Sequence, residues 1–151
     1  SATYHGGGVY VVHSQLPPSR ALLVNNTIVA NGSEGVAGWQ NVVILLYNNI
    51  ISGHSVGIAA TVSISALILG DRNMLWNTSD PYATAHDCKV NLLLTADCHL
   101  CKDSPAIDAR LTVPWVTADL DCEPRTAFSN HHLGTDEYTH RVFLPLVLRG
   151  A

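Results

Sequence analysis

LLVNNTIVANG at residues 22–32 is followed by LLYNNIISGHS at 45–55 and, more loosely, by LGDRNMLWNTS at 69–79. The asparagines Asn26, Asn49 and Asn73 hold matching places, 23 and then 24 residues apart. A period of about 20–30 residues around a short β-rich core marks a solenoid, in which each unit buries its apolar face against its neighbours. Each unit sets an apolar stretch, an Asn step, a second apolar pair and a small or polar turn in the same order. Short aliphatic runs broken by Asn and Gly favour strands with tight corners, because Asn tolerates the left-handed backbone that a corner needs. Stacking such units aligns the aliphatics into interior columns and Asn26, Asn49 and Asn73 into a hydrogen-bonded ladder. No 3.6-residue apolar pattern runs longer than two turns, so helices are not expected. In the third unit Arg72 replaces the first Asn and Trp76 fills a formerly small position.

Working outward, Gly6-Gly7-Gly8-Val9-Tyr10-Val11 reads as the end of another coil, and the repeat stops near Asp80. The predicted organisation is therefore coils over residues 1–80, a loop-rich, Cys-containing cap of the same domain over 81–140, and an apolar tail over 141–151. The cap is expected to cover the open end of the coils. Coil-like sequence begins within the first ten residues, which suggests a C-terminal piece of a longer chain or a coil stacked on another protein.

At 151 residues the chain has the length of one domain. Charged residues make up 13% and hydrophobic ones 47%, a balance that excludes disorder. A formal charge of −4 leaves no basic footprint for nucleic acid. No run reaches the roughly 18 apolar residues of a membrane helix. The positive mean hydropathy, +0.17, points instead to an extended partner surface.

Several of these segments also resemble those of secreted bacterial right-handed parallel β-helix repeat proteins. The likeness lies in GGGVYV, NNTIV, NNIIS and NMLWN, and in three closing segments. Asp97-Cys98-His99-Leu100 with residues 103–109 (DSPAIDA) is similar to the family's D-x-H-L…SPAIDAG, residues 117–125 (TADLDCEPR) to its TTDLDGDPR, and residues 133–138 (LGTDEY) to its IGADEY. Arg110 and Cys122 stand where the family usually has Gly. The last stretch, residues 141–149 (RVFLPLVLR), is similar to a FLPLVL tail common in secreted Chloroflexota proteins. The resemblance implies an all-β, right-handed parallel β-helix at the cell surface or outside the cell.

Three functions follow as expectations. The first is a structural module that self-assembles, or docks on an envelope assembly, through its open coil and tail. The second is a polysaccharide-binding or polysaccharide-cleaving module, with Trp39, Tyr47 and Trp76 as aromatic platforms. The third is an accessory subunit of a membrane-associated complex. The repeated coils hold few acids, so no carboxylate-lined catalytic groove is visible; Asp71-Arg72, Asp80 and His54 are the nearest candidates, and no catalytic residue is assigned. Cys88, Cys98, Cys101 and Cys122 suit disulfides, with zinc binding or free thiols as alternatives. None of the eight histidines lies in a metal-binding frame, so no metal or cofactor is predicted, and locally bonded histidines are expected.

Overall fold

The structure is a computed structural model that describes residues 7–30, 32–60, 66–109, 113–125 and 132–138. Among these residues nine strands follow one another: β1 (Val9–His13), β2 (Ser19–Val24), β3 (Thr27–Val29), β4 (Glu34–Gln40), β5 (Val42–Tyr47), β6 (Ile50–Ser52), β7 (Val56–Ala60), β8 (Ala66–Asp71) and β9 (Met74–Trp76). The described residues contain no helix. Successive strands enter three different sheets in rotation, giving the parallel orders β1-β4-β7, β2-β5-β8 and β3-β6-β9. The all-β architecture is compatible with a parallel β-helix-like solenoid.

Register follows the sequence repeat. Leu22 pairs with Leu45 and Leu45 with Leu69, as the aligned segments require. Because side chains alternate along a strand, every second residue of each unit points inward. Ala21, Ile44 and Ile68 form one interior column, and Ile28, Ile51 and Leu75 another. Ile44 and Ile51 lie in the middle unit and are fully buried. Gly70 continues the column of Leu23 and Leu46, where a Cβ would lie 2.7 Å from the Leu46 carbonyl oxygen, so the third unit has no room for a side chain there.

The corner between the second and third strand of each unit carries the Asn signature. Asn25, Asn48 and Arg72 take φ of 56°, 57° and 57°, the left-handed conformation that Asn accepts more readily than Arg. The next residue turns inward. The Asn49 Nδ2 donates to Asn73 Oδ1 (3.0 Å) and to the Leu23 carbonyl (2.9 Å), while its Oδ1 accepts from the Asn26 amide (2.9 Å) and Asn26 Nδ2 (3.1 Å). Asn73 repeats the arrangement and donates to Asp87 Oδ1 from its backbone amide at 2.6 Å and from Nδ2 at 3.3 Å. The Asn26–Asn49–Asn73 ladder is thus present, and Asp87 extends it by one step. Cys88, the next residue, bridges Met74 in parallel, so residues 87–88 begin a fourth, abbreviated unit.

Beyond Trp76 the described residues form bends, turns and isolated bridges rather than strands. Ala83 packs against the interior cluster, but most of this region runs elsewhere. Leu92, Leu100, Ala106 and Leu133 gather on Ile50 and Met74, which point outward from the third sheet, into a second apolar cluster. The segment 132–138 reaches back to the first two units: Gly134 donates to the Asn48 carbonyl (3.0 Å), and the Thr135 amide donates to Thr27 Oγ1 (3.0 Å). The C-terminal half therefore lies along the flank of the coils as well as over their end. The tail, residues 141–151, falls outside the described residues.

One half-buried carboxyl stands out in this region. Neither oxygen of Asp80 has a hydrogen-bond partner of ordinary geometry, and the Ile58 backbone amide relieves the carboxylate only in part. Burial pushes the Asp80 carboxyl above its usual range, against the opposing pull of Lys89. A raised folded-state value means that Asp80 favours the fold while protonated, and that this contribution is lost as pH rises through that value. Asp80→Asn is therefore expected to raise the urea midpoint at pH 7, with the gap to the parent protein closing as pH approaches 3.8. A gap independent of pH would refute the assignment.

Candidate functional site

The second sheet turns an unusually apolar face outward. Its outward-facing rows, exposed or half-buried, are Arg20, Val43 and Leu67; Leu22, Leu45 and Leu69; and Val24, Tyr47 and Asp71. Leu22 is 56% exposed, although its neighbours along the strand are partly or wholly covered. A surface sheet normally places polar residues on this side. Here the leucine pairs of the repeat supply one inward and one outward residue each, so the outward column is apolar as well.

The border of that face deepens into an open trough of about 450 Å³. Leu22, Leu45 and Tyr47 form its floor, and Asn48, Asp71 and Arg72 its polar end. The opposite wall is Val113-Pro114-Trp115, a tight turn closed by the Val116 amide donating to the Val113 carbonyl at 3.0 Å. Val113 is buried and anchors the turn, whereas Trp115 is 71% exposed at its tip. An exposed tryptophan held at the rim of an apolar trough is a typical contact residue of recognition surfaces. Asp71 is oriented by His86 Nδ1 (2.9 Å) and Thr84 Oγ1 (3.4 Å), with the Arg72 Nε 3.7 Å away.

The three aromatics singled out in the sequence do not converge. Trp39 lies on β4, Tyr47 on β5 and Trp76 on β9, one on each sheet, so they cannot form a single platform. Tyr47 alone joins the trough. Its aromatic companion, Trp115, comes from a loop whose position no repeat pattern reveals.

No disulfide joins Cys88, Cys98, Cys101 and Cys122 in this structure. They belong to separate local structures. Cys88 lies beside Met74, Cys98 and Cys101 flank the Leu94–Leu100 bridge, and Cys122 sits exposed in the turn after Asp119. The five described histidines all have local partners. His13 bonds Ser19, His54 contacts the Gly32 and Ile28 carbonyls, His86 bonds Asp71, His99 bonds Asp136, and His132 lies against Glu137. Asp136 holds the His99 imidazole above its usual range. Of the catalytic candidates, Asp71 and Arg72 share the polar end of the trough, whereas Asp80 and His54 are not among its lining residues.

Comparison with protein-family models, curated proteins and solved structures gave no match.

Proposed function

We propose that this chain forms part of a secreted, bacterial, right-handed parallel β-helix and serves as a rigid structural module at the cell surface or outside the cell. It associates with a second copy of itself through the outer face of the β2-β5-β8 sheet. The right hand is the one that the family resemblance implies, in keeping with the preferred hand of crossovers between parallel strands. The closing segments over residues 97–138 and the spacing of the Asn corners support the family.

The observation that carries the assembly reading is the outward column Leu22, Leu45 and Leu69, flanked by Val43, Leu67 and Tyr47. Exposed apolar patches on this scale mark interaction sites. Two such faces pack flat against one another at the roughly 10 Å spacing of stacked sheets. The charges of the face are also self-complementary. Arg20 and Asp71 occupy diagonally opposite corners, so a two-fold pairing with the strands of the two faces crossed near a right angle brings Arg20 towards the partner's Asp71.

Sedimentation velocity across a concentration series tests the reading. The expected result is a concentration-dependent species larger than the 16.2 kDa chain. The double variant Leu67→Thr/Leu69→Thr, which puts β-branched strand formers at both places, is expected to weaken self-association at least tenfold. A parent protein that stays monomeric at its highest soluble concentration would sink the proposal.

A second reading has its own observation. Tyr47 and Trp115 line one trough whose polar end is Asp71, Arg72 and Asn48, the combination of stacking faces and directional hydrogen bonds that sugar rings take. Glycan-array binding that disappears in Trp115→Ala would favour it.

A further inference from the structure

We propose that His99, Asp121 and Asp136 form a binding site for a divalent transition-metal ion. One ligand atom from each of the three residues lies within 4.8 Å of the other two. The His99 Nδ1 is 3.2 Å from Asp136 Oδ1 and 3.7 Å from Asp121 Oδ2. Zinc bonds to imidazole nitrogen and carboxylate oxygen at about 2.0–2.2 Å, so two tetrahedral ligands stand roughly 3.3–3.6 Å apart. The observed spacings bracket that requirement, and the ion would enter where the His99 and Asp136 atoms now face one another.

The ligands are positioned before any ion arrives. His99 stands on a tight hairpin in which the Thr95 amide donates to the His99 carbonyl (2.9 Å), and Leu94 and Leu100 bridge in antiparallel fashion. Asp136 is buried and accepts from the Leu100 amide through Oδ2 at 2.6 Å, leaving Oδ1 for the ion. Such an outer partner fixes a metal-binding carboxylate. Asp119 ties the other two segments together. Its Oδ1 accepts from the Asp121 amide (3.0 Å) and the Glu123 amide (2.8 Å), and its Oδ2 from the Glu137 amide (3.2 Å).

Charge gives an independent argument. Asp97 Oδ2 lies 3.7 Å from His99 Nε2, so three carboxylates surround one imidazole. Among the described residues no lysine or arginine is ion-paired with Asp121 or Asp136, and Arg125 pairs with Glu137 instead. Even a fully protonated imidazole leaves the cluster negative, which favours a cation. One nitrogen with two oxygens suits zinc and its neighbours better than calcium or magnesium, whose sites are built of oxygens. The half-exposed side chain of Asp121 leaves the outer side open to water as a further ligand.

The test is titration calorimetry of the chelator-treated chain with zinc chloride, and in parallel with calcium chloride. The expected result is one zinc per chain, with calcium at least tenfold weaker. The Asp121→Asn variant, altered at a half-exposed side chain, is expected to keep the parent's metal-free melting temperature and to lose at least tenfold in zinc affinity. Cys98→Ser/Cys101→Ser is expected to bind zinc as the parent does. Absent zinc binding, a preference for calcium, or binding lost in the cysteine variant but kept in Asp121→Asn would each overturn the proposal.

Discussion

Glu137→Ala is expected to destabilise the chain by about 3–5 kcal/mol, the usual cost of leaving a buried charge without its partner. The Arg125 side chain is almost wholly buried, and its Nη1 donates to Glu137 Oε1 at 3.0 Å. The same guanidinium donates to the carbonyls of Ala118 (3.2 Å), His132 (3.4 Å) and Gly134 (2.7 Å). Glu137 in turn accepts from the His132 amide at 3.0 Å. This one pair therefore joins segments 117–125 and 132–138, a region that lacks strands of its own. Burial holds the Arg125 guanidinium below its usual range, a sign of how much the fold asks of its countercharge. Natural domains are stable by only about 5–15 kcal/mol, so the loss is a large fraction of the total. Urea unfolding of the single variant and of Arg125→Met/Glu137→Leu checks the cause. The double variant is expected to recover most of the loss, because it removes the charge and its partner together. Equal damage in both would show that packing, and not the unpaired charge, is responsible.

Asn49→Ala is expected to cost roughly 3 kcal/mol, since each buried polar group left unpaired costs about 1–3 kcal/mol. The side chain is fully buried and all four of its hydrogen-bonding positions are in use. Removing it strands the Leu23 carbonyl and deprives both Asn26 nitrogens of an acceptor. Asn26 makes a useful internal comparison. It is only half-buried, it bonds the Val24 carbonyl and Asn49, and it stands at the start of the ladder. Asn26→Ala is expected to cost about 1 kcal/mol, the net worth of an ordinary hydrogen bond. Equal midpoints for the two variants in urea would contradict the ladder as a cooperative element.

The same residues explain what the sequence revealed. Asn26, Asn49 and Asn73 were legible because one geometric demand, a left-handed corner followed by an inward amide, recurs in every unit at nearly constant spacing. Asp87 was not, since it meets that demand after 14 residues rather than 23 or 24 and with a different side chain. Trp115 escaped for a different reason: it reaches the trough from a turn far along the chain, and only tertiary packing brings it to Tyr47. His99, Asp121 and Asp136 sit in three separate closing segments, and nothing in their spacing shows that they meet. Trp39, Tyr47 and Trp76 belong to strands that rotate through the three sheets, so residues that look equivalent by type face different directions.

The ladder also has a direction. Asn26 donates to Asn49, Asn49 to Asn73, and Asn73 to Asp87, so each amide group passes one hydrogen toward the C-terminal side while giving another to an earlier carbonyl. An amide can be both recipient and giver, and a unit bearing one can be followed by another like it. A carboxylate only receives: the two Asp87 oxygens take hydrogens from Asn73 and from the Thr84 amide and have none to hand on. Gene duplication could lengthen this array anywhere upstream of Asp87 without breaking the chain of donors. Past that residue it could not, and one oxygen in place of one nitrogen acts as the full stop of the repeat.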